Sequence, residues 1–260
     1  MGQLLTQRRG QVLELTLSNP GFRNALSPEI YRAGRTAFEE AHEDQSVRAV
    51  LLHGADGVFC AGGNLNRLEA NRQLEPEVQR QSIDGLHAWI LAMRHCAKPI
   101  VAAVEGPAAG AGFSVVLACD LVVAAADAKF VMSYARVGLS PDGGAIAALA
   151  AALPPQRAFA TLALAEPLAA QALQQAGIVH QVCEPGQTLA GARELCDRLA
   201  SGPTAVYGRI KRLLDGAAGR GLPEHLTLER DAFVESLFGH DGGEGIAAFL
   251  GKRPARFQGT

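Results

Sequence analysis

The feature that most restricts the fold is a repeated pairing of a short apolar run with a loop of small residues. Ala49-Val-Leu-Leu-His53 leads into a Gly-rich loop through Gly62-Gly63, and Pro99-Ile-Val-Ala-Ala-Val104 leads into Gly106-Pro-Ala-Ala-Gly-Ala-Gly112. Continuous apolar runs of this length suit strands buried on both faces. Helical spacing separates them. Ser27-Pro28-Glu29 supplies an N-cap, a proline for the first helical position and an acid for the positive end of the dipole, after which Ile30, Ala33, Ala37, Phe38 and Ala41 carry a helix to about Glu43. A second helix is expected from Ser82 to Cys96, marked by Ile83, Leu86, Ile90 and Met93. Strand, helix, strand in this order demands right-handed crossovers and a mainly parallel sheet.

The rest of the chain extends that plan. Val12 to Leu17 alternates, with Leu13, Leu15 and Leu17 on one face, and Arg9-Gly10 reads as the turn of a hairpin whose first strand is Leu4 to Gln7. Strands are also expected at Leu121–Ala125 and Lys129–Met132, followed by a third loop, Ser140-Pro-Asp-Gly-Gly144. Past Ala145 the sequence turns Ala-rich and helical, with only Ile178–Val182 resembling another strand. The expected organisation is an α/β core over residues 1–200 and a helical part over 201–260.

Composition narrows the function. With 24 basic against 26 acidic side chains there is no broad electrostatic reason to expect nucleic acid or an anionic membrane as partner. The five cysteines are odd in number and widely spaced, with neither C-x-x-C nor a nearby His at finger spacing, and so read as thiols of a reducing compartment. The stretch from Gly106 to Cys119 is uncharged yet shorter than the roughly 18 residues of a membrane span. A soluble cytoplasmic protein is expected.

The loops of small residues are candidate sites. Gly106 to Gly112 lacks the third glycine of a dinucleotide fingerprint and the Gly-Lys of a phosphate loop. Ser114 and Ser140 lack the closing glycine of a nucleophile elbow. From the residues alone, the Gly-Ala loop serves either a ligand or close helix-to-strand packing. Asp142 is either a catalytic carboxylate or the start of the Ala-rich helix. His53, His87 and His180 have no carboxylate or Cys at ligand spacing and read as structural, and Arg209, Lys211 and Arg212 read as an exposed helix face.

Taken together, Phe59-Cys-Ala-Gly-Gly-Asn-Leu65, Lys98 through Gly112, Ala118-Cys-Asp120 and the Pro-Asp-Gly-Gly turn resemble, in order and spacing, the enoyl-CoA hydratase/isomerase (crotonase) family. The likeness extends from the hairpin to the end, including Arg23-Asn-Ala-Leu26 and Glu244 through Arg253, and is closest to the bacterial aromatic-degradation and isomerase branch. It implies the crotonase, ClpP-like spiral of ββα units with a helical C-terminal part. It implies an acyl-CoA thioester as substrate, no metal, no redox cofactor, and a homo-oligomer, either a trimer or a dimer of trimers. It also implies that the backbone N–H groups of Gly63 and Ala111 meet the thioester oxygen, where two fixed donors would stabilise an enolate.

The resemblance extends to binding residues. Arg23 and Ala25 would lie near the adenine, Ala61, Asn64 and Leu65 along the pantetheine, and Phe249 and Lys252 would reach a neighbouring subunit's ligand. The family's hydratases carry two glutamates, and here those positions hold Ser114 and Tyr134. Losing both removes the usual means of adding water. Asp142 matches the carboxylate of isomerases in the family and the nucleophile of a dehalogenase relative; preceded by Pro141, it would carry a proton from one carbon to another, with its pKa raised by a pocket poor in charge. Tyr134 would orient the acyl group. The expected function is therefore double-bond isomerisation or ring rearrangement through an enolate. The alternatives are a hydratase using Asp142 and a non-catalytic acyl-CoA-binding protein. RNA binding is disfavoured by the balanced charge and low aromatic content.

Overall fold

The computed structural model describes residues 2–260. An opening hairpin, β1 (Gln3–Arg9) and β2 (Val12–Ser18), leads into helix α1 (Pro28–Glu43) and strand β3 (Ala49–Gly54). Helices α2 (Leu65–Asn71) and α3 (Pro76–His95) precede β4 (Ile100–Val104), β5 (Pro107–Ala109) and α4 (Ala111–Leu117). Next come β6 (Leu121–Ala125), β7 (Lys129–Val131), a 3-10 turn over Ser133–Val137, α5 (Ala145–Ala152), α6 (Pro155–Leu164), β8 (Leu168–Ala169), α7 (Ala170–Gln175), β9 (Gln181–Cys183) and α8 (Thr188–Ala200). Helices α9 (Thr204–Leu214), α10 (Leu222–Phe238) and α11 (His240–Leu250) complete the chain.

The main sheet runs β1-β2-β3-β4-β6-β9, parallel throughout except for the opening hairpin. A second sheet, β5-β7-β8, stands against it. Alternate residues of the central strands enter two cores: Val50, Leu52, Ile100 and Ala102 join the larger one under α1 and α3, while Ala49, Leu51, Val101 and Ala103 pack with Ala192, Leu195 and Cys196 of α8. This double burial is why the strands are apolar without interruption.

Several elements depart from the sequence reading. The segment Gly106–Gly112 is not one loop: Pro107–Ala109 pairs in parallel with Lys129–Val131, and α4 begins at Ala111. Helix α3 starts at Pro76, ahead of Ser82, because Pro76 and Glu77 form a polar first turn that apolar spacing does not register. The last strand is Gln181–Cys183, later than Ile178–Val182, since Ile178 and Val179 are held by the Leu173 carbonyl at the end of α7. Strand β8 has only two residues and leaves no periodic signal. Ser27 is the N-cap of α1, yet its hydroxyl makes no capping bond to the helix.

The C-terminal helices are tied to the core. Lys211, expected on an exposed face, is buried and donates to the Met93 carbonyl at 2.9 Å and to Asp120 Oδ2 at 2.8 Å. Helix α9 packs beneath the end of α3, which turns that face inward; Arg209 and Arg212 both pair with Glu235. Arg48, buried, donates to Gly202 O, to Thr204 Oγ1 and to Phe257 O, clamping the chain end. No helix among the described residues is long and apolar enough to cross a membrane.

Candidate active site

Backbone hydrogen bonds lace together the two loops rich in small residues. Cys60 N donates to Pro107 O at 3.1 Å, Ala109 N returns to Cys60 O at 2.9 Å, and Leu26 N donates to Gly62 O at 2.8 Å. Gly62 has φ +91° and so close an approach that a β-carbon there would lie 2.5 Å from Ala109 O and 3.4 Å from Ala111 N. Only glycine satisfies both demands. The loop holding Gly63 thus lies directly against the head of α4, where Ala111 stands. Neither the Gly63 nor the Ala111 N–H has an acceptor among the described residues. Ala111 is the first residue of its helix, so its N–H is free by geometry and sits at the positive end of the helix dipole.

The supporting residues around these loops left little trace in the sequence. Asn24, buried with φ +56°, accepts from Asn19 N at 3.0 Å and donates to Ala55 O and Val58 O at 2.9 and 2.7 Å. It knits the Arg23–Ala25 turn to the strand β3 exit. An asparagine between two turn residues is a faint signal for such a role.

Asp142 lies across from α4. Its carboxylate accepts the Tyr134 hydroxyl at 2.5 Å, and its backbone carbonyl accepts Ser114 Oγ at 3.0 Å. Gly144 occupies the N-cap of α5, so the Asp142 side chain does not cap that helix. Burial, followed by the Asp142 charge and the shared hydrogen bond, raises the Tyr134 phenol above the ordinary tyrosine range. Tyr134 is therefore the donor. Its ring carbons would lie 3.6 and 3.7 Å from a β-carbon on Gly110, the residue before Ala111. One phenol ring thus lies between the Asp142 carboxylate and Gly110, the residue before Ala111.

An open cleft of about 1540 Å³ adjoins this arrangement. Asp142, Tyr134, Pro141 and Leu139 form one wall, and Leu65, Leu68, Ile83 and His87 the other. Most of the exposed lining is apolar, but Glu69, Arg72, Arg80 and Asp84 also face the cleft, so it is not the charge-poor pocket expected around Asp142. His87, read from the sequence as structural, lines it and accepts the Gly143 N–H on Nε2 at 3.4 Å.

Not every expected residue reaches the cleft. Leu65 does, and is 56% exposed. Asn64 instead caps α2, its side chain accepting from Asn66 N and Arg67 N. Ser114 is buried and its hydroxyl is engaged by Asp142 O and by Gly110 O. Ala61 donates its N–H to Arg23 O at 3.0 Å, so those two residues and the neighbouring Ala25 form one edge of the loop pair. Phe249 projects from α11 and is 85% exposed, and Lys252 follows the end of that helix; neither lines this chain's own cleft. The segment 65–81 is helix α2, a turn and the start of α3. Among the described residues no three His, Cys, Asp or Glu side chains cluster as metal ligands.

Relatives agree with this architecture. The sequence model of the Enoyl-CoA hydratase/isomerase family matches residues 7–260. The 1,2-epoxyphenylacetyl-CoA isomerase of Escherichia coli (strain K12) is 33% identical over 255 residues, covering 95% of each chain. The 2,3-dehydroadipyl-CoA hydratase of the same organism is 32% identical over 259 residues and all of both chains. Among solved structures, an enoyl-CoA hydratase from Polaromonas sp. JS666 is 50% identical with a TM-score of 0.96, covering 98% of this chain and 99% of that one. The ββα core, the facing loops and these matches along the whole length lead to one conclusion: the chain belongs to the enoyl-CoA hydratase/isomerase family.

Proposed function

We propose that the protein is an acyl-CoA isomerase that moves a double bond, or rearranges a ring, through an enolate. The N–H groups of Gly63 and Ala111 receive the thioester oxygen, and Asp142 removes a proton at carbon 2 and returns it further along the allylic system. One carboxylate suffices, because the group that accepts the proton is the acid that donates it. The observation that carries this reading is the Tyr134–Asp142 pair at the rim of a mostly apolar cleft, one ring width from the head of α4. Each oxyanion donor would contribute about 2.7–4 kcal/mol to the transition state.

Coenzyme A enters as part of the substrate. Arg23 and Ala25 are assigned to the adenine end, and Ala61, Asn64 and Leu65 to the pantetheine. Helices α10 and α11 expose Phe233, Phe238, Phe249 and Leu250, with Phe238 83% exposed. An apolar surface of that kind marks association. A trimer, alone or paired, would cover it and bring Phe249 and Lys252 to a neighbouring site.

The second reading is hydration directed by Asp142, favoured by the hydratase names among the relatives. Turnover of a panel of 2-enoyl, 3-enoyl and ring-bearing thioesters in water labelled with heavy oxygen separates the two. Isomerisation predicts double-bond migration with no label in the product; uptake of label would establish the hydratase. Binding of the whole panel without turnover would leave an acyl-CoA-binding protein.

A further inference from the structure

Side chains from three elements hold the Asp142-Gly143 turn, and one of them, His87, reaches it from across the cleft. Tyr134 holds the carboxylate, Ser114 holds the carbonyl, and His87 Nε2 accepts the Gly143 N–H. To accept there, Nε2 must be unprotonated, so a neutral ring carries its proton on Nδ1. The packing of α3 does not call for an imidazole: its buried residues are Leu86, Trp89 and Met93, and His87 stands off that face in the cleft. The bond therefore joins the acyl-facing wall to the turn that presents the carboxylate.

We propose that His87 is a positioning residue for proton transfer, fixing the Gly143 amide and through it the angle at which the Asp142 carboxylate meets carbon 2 of the thioester. This rests on the role proposed for Asp142. The geometry gives His87, an exposed ring on the α3 side of the cleft, a partner on the opposite wall. It also separates the two duties of the turn: Tyr134 orders the carboxylate oxygens, whereas His87 orders the backbone that carries them.

The test uses the full-length protein with His87→Leu, which removes the acceptor, His87→Gln, whose side-chain oxygen can replace it, and Asp142→Asn. Three quantities are read: exchange of the carbon 2 hydrogens of phenylacetyl-CoA in deuterated water, affinity for unreactive hexanoyl-CoA, and amide protection of a peptide spanning residues 138–149. His87→Leu is expected to slow exchange at saturation roughly 10- to 100-fold, as small misplacements of a catalytic group do, while affinity stays within about twofold. The peptide should lose protection at one amide. His87→Gln should recover exchange to within about threefold of the parent. Parental exchange in His87→Leu, equal loss in both His87 variants, unchanged amide protection, or affinity falling in step with rate would each overturn the positioning role. Parental exchange in Asp142→Asn, or none in the parent, would instead overturn the reading of Asp142.

Discussion

The paired loops and the cleft beside them are built by different means. On the inner side, behind the cleft lining, main-chain bonds bind the Cys60–Gly63 segment to Pro107–Ala111, and Cys60, Ala108, Ala111 and Ser114 are all buried. On the outer side, α2 has no buried residue at all, and Leu65 and Leu74 are more than half exposed. The contrast separates two physical tasks. Holding a pair of N–H donors still requires a lattice of backbone bonds and residues small enough to allow it. Matching an acyl group needs only apolar side chains with few other obligations. Changes on the inner side should therefore alter rate or folding, and changes on the outer side should alter preference alone.

The strongest way to break this comparison is Asp142→Asn, expected to cut double-bond migration about 10²- to 10⁴-fold with thioester affinity retained. Stopped-flow turnover and calorimetry read the two effects; a parental rate would refute the assignment. Ala111→Pro comes next. Proline fits the first position of a helix but lacks the N–H, so turnover should fall about 10²- to 10³-fold while the melting temperature changes little. Gly62→Ala tests the lattice itself. Its β-carbon would meet Ala109 O at 2.5 Å, and a cost of about 1–3 kcal/mol in urea unfolding is expected. Leu65→Ala should leave stability within about 0.5 kcal/mol and shift preference among acyl chain lengths by roughly tenfold or less.

The smallest effect separates buried from exposed groups by pH. Burial pushes the Tyr31 phenol and the Cys60 and Cys196 thiols up to about 12, so each stays neutral in the folded state after its unfolded counterpart has ionised. Their stabilising contributions are complete below the unfolded values, near 8.5 for Cys and 10 for Tyr, and are lost as pH rises toward 12. Urea midpoints should hold steady to about pH 8 and decline above it, and Tyr31→Phe should soften the upper part of the decline.

The same contrast explains what could be read in the sequence. The strands behind the paired loops were legible because they are apolar on both faces, whereas glycine, alanine and proline in the loops suit a ligand or close packing equally, and only the family resemblance pointed to a site. The short pairing of Pro107–Ala109 was hidden because three small residues show no period. Lys211 looked solvated because its partners, Met93 O and Asp120, are about a hundred residues away in the chain. His87 reads as structural for a related reason: its neighbour Gly143 offers only a backbone N–H, which carries no side-chain signature. Asp142 was singled out by the resemblance, its place in the turn alone suiting a helix start equally, and its link to Tyr134 depends on how the 3-10 turn of residues 133–137 folds back, which spacing alone does not encode.

The most direct test of the central claim is a crystal structure with an unreactive acyl-CoA bound. The account predicts the thioester oxygen within hydrogen-bond distance of both the Gly63 and Ala111 nitrogens, with the Asp142 carboxylate facing carbon 2 and still bonded to Tyr134. A thioester oxygen held by other groups, or an Asp142 carboxylate turned away from the acyl carbons, would contradict it.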